Sequence, residues 1–430
     1  MGGPLFDWLR MMYSRVEYYV KHGGNTTELF SALIGLLTGD TSSPILWNIF
    51  FGDLKMPEHK DDVWLAGVVV SILAQADDVL LISHSAVGMQ LKLNVLTEWC
   101  SLNFITISKI KTVMMAFGRV PSALPSFTVG GSVLEYSVKE KYVGVVFSSN
   151  TFRVYEKHLS EKASTARYYG HCIWGAEDRI GNLRPKDAKQ LYMARVDCHL
   201  IHGCEIMPDA YKSTLQPLQD VQVQFVRRML HLSSRSMIVP LFTETGIMPL
   251  AVRRFILVLS NLRYLMSLDH GHFAQAAMFN SIDLFLRSKS SWFGDLLKAG
   301  RNLPFLLSYE LHPRDLSIDY IDKYIDMVWK DTNKWLQNEI NCTDKLYLLH
   351  GRKEPQKNKP PAQVVLCMRH YLDVPVLEHR TALTRVLLSN HLLALERMRW
   401  SEYGKPKVQR DHRKCRFCRT VVESPEHALL

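Results

Sequence analysis

The residues best equipped for chemistry are the neighbouring acids Asp77 and Asp78, in the run Ile72-Leu-Ala-Gln-Ala-Asp-Asp-Val-Leu-Leu-Ile-Ser83. Apolar stretches at Val68–Leu73 and Val79–Ile82 flank the polar step Gln75–Asp78, the pattern of a β-hairpin carrying carboxylates at its tip. Adjacent carboxylates repel, and strands this apolar lie against a core, so a cation would relieve the repulsion. Mg2+ suits the pair, since this hard ion takes one or two carboxylates together with substrate phosphates. An ordinary solvated turn has the same local pattern, and the dipeptide alone does not choose between the two. A second signature is Cys415-x2-Cys418 within Arg413-Lys-Cys-Arg-Phe-Cys-Arg419, followed by His427. This spacing sets two thiolates on a tight turn at Zn2+ geometry, with a downstream His as third ligand, and chance cysteines are the competing reading. A third group, Cys198-His199-Leu-Ile-His202-Gly-Cys204, reads as helix packing, because only Cys198 and His202 share a helical face cleanly.

The surrounding elements have legible periodicities. Leu5, Trp8, Leu9, Met12 and Val16 predict a helix over Pro4–Tyr19. In Gly35-Leu-Leu-Thr-Gly-Asp-Thr-Ser-Ser-Pro44, Ser43 is placed to cap a helix over Ile45–Phe51 with Pro44 in its first turn. A Gly-Asp loop feeding a capped helix can hold a substrate backbone close. Leu91, Val95, Trp99 and Leu102 mark one helical face, and Phe104–Phe117 predicts a strand–turn–strand unit presenting Lys109 and Lys111. Strand patterns follow at Phe127–Gly131 and Tyr142–Phe147, so the first 150 residues read as α+β, and helical spacing dominates from Tyr155 onward. Arg227, Arg228, Arg253 and Arg254 are candidate phosphate contacts there, with simple solvation as the alternative. The segment 351–361 (GRKEPQKNKPP) reads as a basic linker, and His379–Trp400 as an amphipathic helix.

A chain of 430 residues, 47% hydrophobic and 10% aromatic, has material for two to four domains and little room for long disorder. Its longest apolar run, near Val63–Ala74, is too short to span a bilayer. No apolar leader with a cleavage site precedes or follows Asp7, and eight scattered cysteines suit a reducing compartment. The expectation is an intracellular protein, nuclear or cytoplasmic and not secreted, with the sequons at Asn25 and Asn341 unused. Residues 351–430 hold 16 Lys+Arg against 8 Asp+Glu, so they carry +8 of the formal +10. That concentration suggests a polyanionic partner, most simply a nucleic-acid backbone, and a solubilising surface accounts for it equally on charge alone.

The order of these pieces resembles the reverse transcriptase of non-LTR (LINE-type) retrotransposons. Gly39-Asp40 with Ser43-Pro44 and Ile45–Leu54 resembles that family's Q-G-D-P-x-S-P-x-x-F-N motif, and Ala76-Asp77-Asp78 its x-A-D-D hairpin. Lys111-Thr112 with Phe117-Gly118 resembles its K-T and apolar-Phe-Gly step, and Gly130-Gly131 with Tyr142-Val-Gly144 its primer grip. The match runs over roughly residues 1–250 and again 375–430. The resemblance implies an RNA-directed DNA polymerase, with an RNA template and a DNA primer as partners and no membrane. It implies an α+β fold in which residues 1–150 form a partial right-hand palm and 151–250 a helical thumb-like region. A helical region of unknown role (251–350) and the linker (351–361) come next. Residues 362–430 hold a basic helix and an incomplete zinc knuckle of the CCHC type.

By carry-over, Asp77 is the principal Mg2+ ligand of a two-metal site and Asp78 its partner. Lys111 lies near the incoming nucleotide's phosphates, and Gly39 and Asp40 under the template and nascent pair. Cys415, Cys418 and His427 hold Zn2+ in the knuckle, with His412 available as a fourth ligand and Phe417 to stack on a base. The departures point the other way for activity. The family uses a further Asp on a strand ahead of the first helix, and no F-D-x-x-K-A-F-D-like stretch occurs in these residues. Thr38, Thr41 and Ser108 stand where the family has Gln, Pro and Asn. The expectation is a chain without polymerase activity on its own, or, alternatively, a non-catalytic nucleic-acid-binding protein of the same descent.

Overall fold

The computed structural model describes residues 2–31, 35–37, 39–356, 359–400 and 406–429. In chain order the elements begin with α1 (Pro4–Tyr13), β1 (Lys21–His22), β2 (Asn25–Thr26), α2 (Ser43–Phe51), β3 (Val63–Leu65), β4 (Val68–Val70), β5 (Ile72–Gln75), β6 (Asp78–Leu81) and α3 (Ala86–Leu102). Short strands follow: β7 (Val113–Met114), β8 (Thr128–Val129), β9 (Ser132–Val133), β10 (Glu135–Tyr136), β11 (Lys139–Tyr142) and β12 (Val145–Ser148). Then come α4 (Glu156–Ile180), α5 (Pro185–Tyr192), a π-helical turn at Met193–Asp197, α6 (Cys198–Leu200), α7 (Lys212–Met229), α8 (Val239–Thr245), α9 (Leu250–Ser267), α10 (Phe273–Leu286), α11 (Trp292–Arg301) and α12 (Ile318–Asn341). The last part holds β13 (Glu354–Gln356), β14 (Lys359–Ala362), α13 (Leu377–Leu387), α14 (Ala394–Arg397) and α15 (Pro425–Leu429). The chain is thus α+β, with small two-stranded sheets, mostly antiparallel, and many helices. It divides into two compact units. One comprises Met1–Val63, Ser71–Thr112 and Pro125–Leu134; the other comprises Trp64–Val70, Val113–Leu124 and Glu135–Leu430.

In the first unit, β5 and β6 pair antiparallel with Gln75 opposite Asp78 and Ile72 opposite Leu81, closing on the two-residue turn Ala76-Asp77. Ala76 takes φ 53, the left-handed value that a tight hairpin requires at its first turn position. Helix α3 packs beside β8, where the Gln90 amide pairs with both backbone groups of Thr128 at 2.9 Å each. Its buried side is not the Leu91–Leu102 stripe read from the sequence. Leu93 and Cys100 are buried, Leu102 is exposed, and Lys92 is enclosed, bonding Asp62 and the Ile82 carbonyl at 2.5 Å each. Helix α1 stops at Tyr13 rather than Tyr19, because the β-branched and aromatic run after it is extended and Tyr18 bridges Phe30.

In the second unit, the pair β3–β4 and the hairpin β11–β12 accompany a helical core. Tyr192, Leu200, Leu218, Val226, Leu259 and Ile321 are wholly enclosed there. The buried Gln222 is matched there: it donates to the Tyr192 hydroxyl (3.1 Å) and the Met248 carbonyl (3.0 Å) and accepts from the Leu250 N–H (2.8 Å). Of the segment Phe104–Phe117, which is mostly irregular, this unit takes the part from Val113, and its one strand, β7, runs parallel to β10. The stretch read as a linker contains the β13–β14 pair, and Arg352 bonds the buried Glu244 at 2.5 Å. The helix read over His379–Trp400 breaks after Leu387. Ser389 takes φ 48, and Asn390 exchanges two hydrogen bonds with Ser233. Among the described residues, no single helix is long and apolar enough to cross a membrane.

Candidate nucleic-acid and metal sites

The carboxylate pair stands at the tip of the β5–β6 hairpin. Asp77 and Asp78 are both exposed, and neither side chain has a hydrogen-bond or ion-pair partner among the described residues. The tip is positioned by α2, whose Trp47 indole N–H donates to the Ala76 carbonyl at 2.7 Å. Helix α2 is held in turn by aromatic packing on α3: Phe50 and Phe51 meet the Trp99 ring edge-on at 5.6 and 5.3 Å, and Trp99 donates to Asp53 at 2.8 Å. The Gly39-Asp40 loop leads directly into this helix. Gly39 has φ 85, and Asp40 accepts from the Ser42 N–H (3.1 Å) and from the Ser42 hydroxyl. The Ser42 hydroxyl, helped by neighbouring backbone N–H groups, holds the Asp40 carboxyl below the usual carboxylate range. Ser43 begins α2 and turns its hydroxyl to the Leu37 carbonyl (2.7 Å), and Ser42 is the N-cap residue instead. Thr38, singled out in the sequence, lies outside the described residues.

Through α2, then, the structure ties the Gly39-Asp40 loop to the Asp77 turn. Lys111 sits in a separate exposed turn, where the Thr112 N–H and hydroxyl both donate to the Ser108 carbonyl. Among the described residues no hydrogen bond or ion pair joins Lys111 to the hairpin. As a donor set, Asp77 and Asp78 fit a hard divalent ion, being two adjacent unpartnered carboxylates open to solvent. No third His, Cys, Asp or Glu among the described residues completes a group with them. Trp47, which fixes the turn, was not singled out from the sequence; its place in an apolar helix concealed the polar role of its ring nitrogen.

Two of the candidate phosphate arginines have structural roles. Arg254 is fully buried, gripping Asp209 through two bonds of 2.8 and 2.9 Å and donating to the Leu200 carbonyl at 2.6 Å. Arg253 pairs with the buried Asp197 at 2.8 Å. Arg227 and Arg228 face a groove of about 460 Å3 together with His231 and Arg385. In the Cys198–Cys204 stretch, Cys198 is exposed. His202 meets His158 at 3.2 Å, His199 stacks on Tyr169, and Cys204 is buried. Burial, with His202 and Lys162 adding to it, pushes the His158 imidazole down to about 4.

The C-terminal signature closes into one cluster. A bridge between Lys414 and Val422 brackets the Cys-x2-Cys turn, and α15 carries His427 back to it. The ligand atoms of Cys415, Cys418 and His427 all lie within 4.8 Å of one another, with Cys418 Sγ 3.3 Å from His427 Nε2. Tetrahedral Zn2+ with bonds of 2.0–2.3 Å requires ligand separations of roughly 3.5–3.8 Å, so small shifts complete the geometry. The Thr420 hydroxyl (3.2 Å), backbone N–H groups at Val421 and Thr420, and Cys415 lower the Cys418 thiol to about 6. A thiolate at neutral pH is the state a metal takes. His412 is not part of the group. Phe417 is 87% exposed beside it.

No family model matches the chain. Over 237 residues it is 22% identical to the RNA-directed DNA polymerase from mobile element jockey of Drosophila funebris. The similar region takes in 53% of this chain and 25% of that relative, so the chain spans about a quarter of the relative's length. This similarity supports a relationship to reverse transcriptases of mobile elements, within an α+β chain carrying a three-ligand Cys/His cluster.

Proposed function

We propose that this chain is a reverse-transcriptase-type protein of LINE-type retrotransposon descent that handles an RNA template and a DNA primer. The observation that carries the reading is the Asp77-Asp78 turn, unpartnered and tied to the Gly39-Asp40 loop through Trp47. Similarity to a mobile-element polymerase supports it. Asp77 would be the chief Mg2+ ligand and Asp78 its partner. When bound, Mg2+ supplies activation of the primer hydroxyl and charge relief at the leaving phosphates. Gly39 and Asp40 would support the template, and Lys111 the incoming phosphates. Residues 1–150 would serve as palm and 151–250 as thumb. The Cys415–His427 cluster would hold Zn2+ and present Phe417 to single-stranded RNA or DNA.

With two carboxylates and no third in the group, the chain alone is expected not to extend a primer. Purified full chain, with a DNA primer on an RNA template, Mg2+ and nucleotides, should give no product above an Asp77→Ala control. Product well above that control overturns the inactivity. RNA binding that weakens with salt should survive Asp77→Ala, and absence of any RNA binding at low salt overturns the reading as a whole. The second reading is a non-catalytic nucleic-acid-binding protein of this descent, and the +8 of residues 351–430 serves nucleic-acid binding under either reading.

A further inference from the structure

We infer that the connection between α11 and α12 is a self-association surface, on which Leu306 of one copy enters an apolar pocket of a second copy. The pocket has a volume of about 120 Å3. Phe255 of α9, Leu296 and Gly300 of α11, Leu307 and Leu311 of the connection, and Tyr324 of α12 line it. Interiors close-pack, and an unfilled apolar space of this size lowers stability. Polar ties nevertheless hold the connection in place beside it. The Ser308 N–H and hydroxyl donate to Asp331 at 2.8 and 2.7 Å, and the Arg301 guanidinium donates to Glu310 at 3.0 and 3.2 Å.

Leu306 borders the same pocket and is 94% exposed. Its outward direction is set by both neighbours. Phe305 stacks on Trp335 with ring centroids 5.4 Å apart, and Leu307 packs against the helical core. A leucine fixed outward beside an apolar hole makes a knob and a hole on one patch. A two-fold axis through such a patch sets each knob in the other copy's hole, which is a closed, isologous contact. The sizes agree: a cavity of about 150 Å3 takes a benzene molecule, so this one has room for the four carbons of a leucine side chain. The charges agree as well. Arg301 and Glu310 border the pocket, both exposed and of opposite sign, so the axis that seats Leu306 sets Arg301 of one copy toward Glu310 of the other. A border of one sign would repel its own copy; this one is complementary to itself. The inference depends on neither the Asp77 hairpin nor the metal cluster.

The test is sedimentation velocity of the full chain, nuclease-treated and reduced, over roughly 1 to 100 µM, where a weak specific contact is read directly. The mass should rise with concentration toward twice that of one chain. A chain that stays monomeric throughout overturns the proposal. Leu306→Asp should weaken the association about tenfold or more. Its circular dichroism and melting temperature should stay unchanged, because the side chain is exposed in its own copy. Leu102→Asp, at an exposed leucine on α3, should leave the association as it is. Association unchanged in Leu306→Asp overturns the proposal. Arg301→Glu should also weaken the dimer, and Arg301→Glu with Glu310→Arg should restore it, since the swap keeps the surface complementary to itself. A swap that restores nothing is equally fatal. Benzene is the probe for a small apolar molecule as occupant: thermal stabilisation by benzene of a chain that never dimerises would mean a small-ligand cavity and overturn the proposal.

Discussion

Replacing Arg254 by Met should destabilise the second unit by about 3–5 kcal/mol, the cost of breaking a buried ion pair from one side. The guanidinium is wholly enclosed, and its two bonds to Asp209 and one to the Leu200 carbonyl satisfy both partners. Burial works against its charge, and the Asp209 carboxylate more than offsets this, so Arg254 stays protonated. Methionine fills much of the same space but leaves Asp209, itself buried, with an uncompensated charge. Exposed arginines that only touch a ligand cost within about 0.5 kcal/mol when removed. Urea unfolding followed by tryptophan fluorescence separates the cases, since with a slope near 3 kcal/mol per molar the midpoint should fall by roughly 1 M or more. Arg254→Met with Asp209→Leu should recover part of the loss, because the stranded charge goes too. A midpoint shift under about 0.3 M for the single variant, or a double variant losing the full sum, would refute the reasoning.

The buried Lys92–Asp62 pair should govern the acid limit of the first unit. Burial raises the Asp62 carboxyl, but the Lys92 ammonium and the His59 N–H outweigh it and hold it below the usual range. Its contribution is therefore present above the unfolded-state value of 3.8 and is lost as pH falls through the lower folded one. Lys92→Met should move acid unfolding, read by circular dichroism, to higher pH; an unmoved midpoint would contradict this. Co2+ added to the chain should give a thiolate charge-transfer band that weakens in acid, where protons compete with the metal for its ligands, and that Cys415→Ser or Cys418→Ser diminishes. A band unchanged in Cys418→Ser would rule out Cys418 as a ligand. Gly246→Ala should lower the melting temperature, at a cost of about 1–3 kcal/mol, because φ is 61 there and a Cβ would sit 2.9 Å from the Cys367 backbone.

What was legible in the sequence was local. Apolar runs on either side of Gln75–Asp78 mark a hairpin whatever lies beyond it, and it forms with Asp77 in its turn and Asp78 beginning β6. Cys-x2-Cys likewise sets its own turn, and the short chain to His427 lets α15 return to it. What was not legible depended on partners distant in sequence. Lys92 carries no sequence signal that it would be enclosed, since its partner Asp62 lies 30 residues away. Arg254 looked like a surface arginine until Asp209 and the Leu200 carbonyl closed around it. The buried side of α3 was misread for the same reason: an enclosed lysine carries no apolar signal, so the visible Leu91–Leu102 stripe took its place.

The contrast between these charges bears on what the acids at the hairpin are for. Where this fold uses an ionisable side chain for stability, it encloses the group and matches it, as with Lys92 to Asp62, Arg254 to Asp209 and Arg352 to Glu244. Asp77 and Asp78 follow neither part of that rule, being adjacent, exposed and without partners among the described residues. Their mutual repulsion lowers stability slightly, and Ala76 adds the cost of a left-handed non-glycine residue at the same turn. A tip that is locally unfavourable, yet held in place by Trp47 and the aromatic contacts of α2 with α3, has its positional support built for something outside the unit's own packing. On the proposed reading, a cation accompanied by phosphates would offset the repulsion between the two carboxylates.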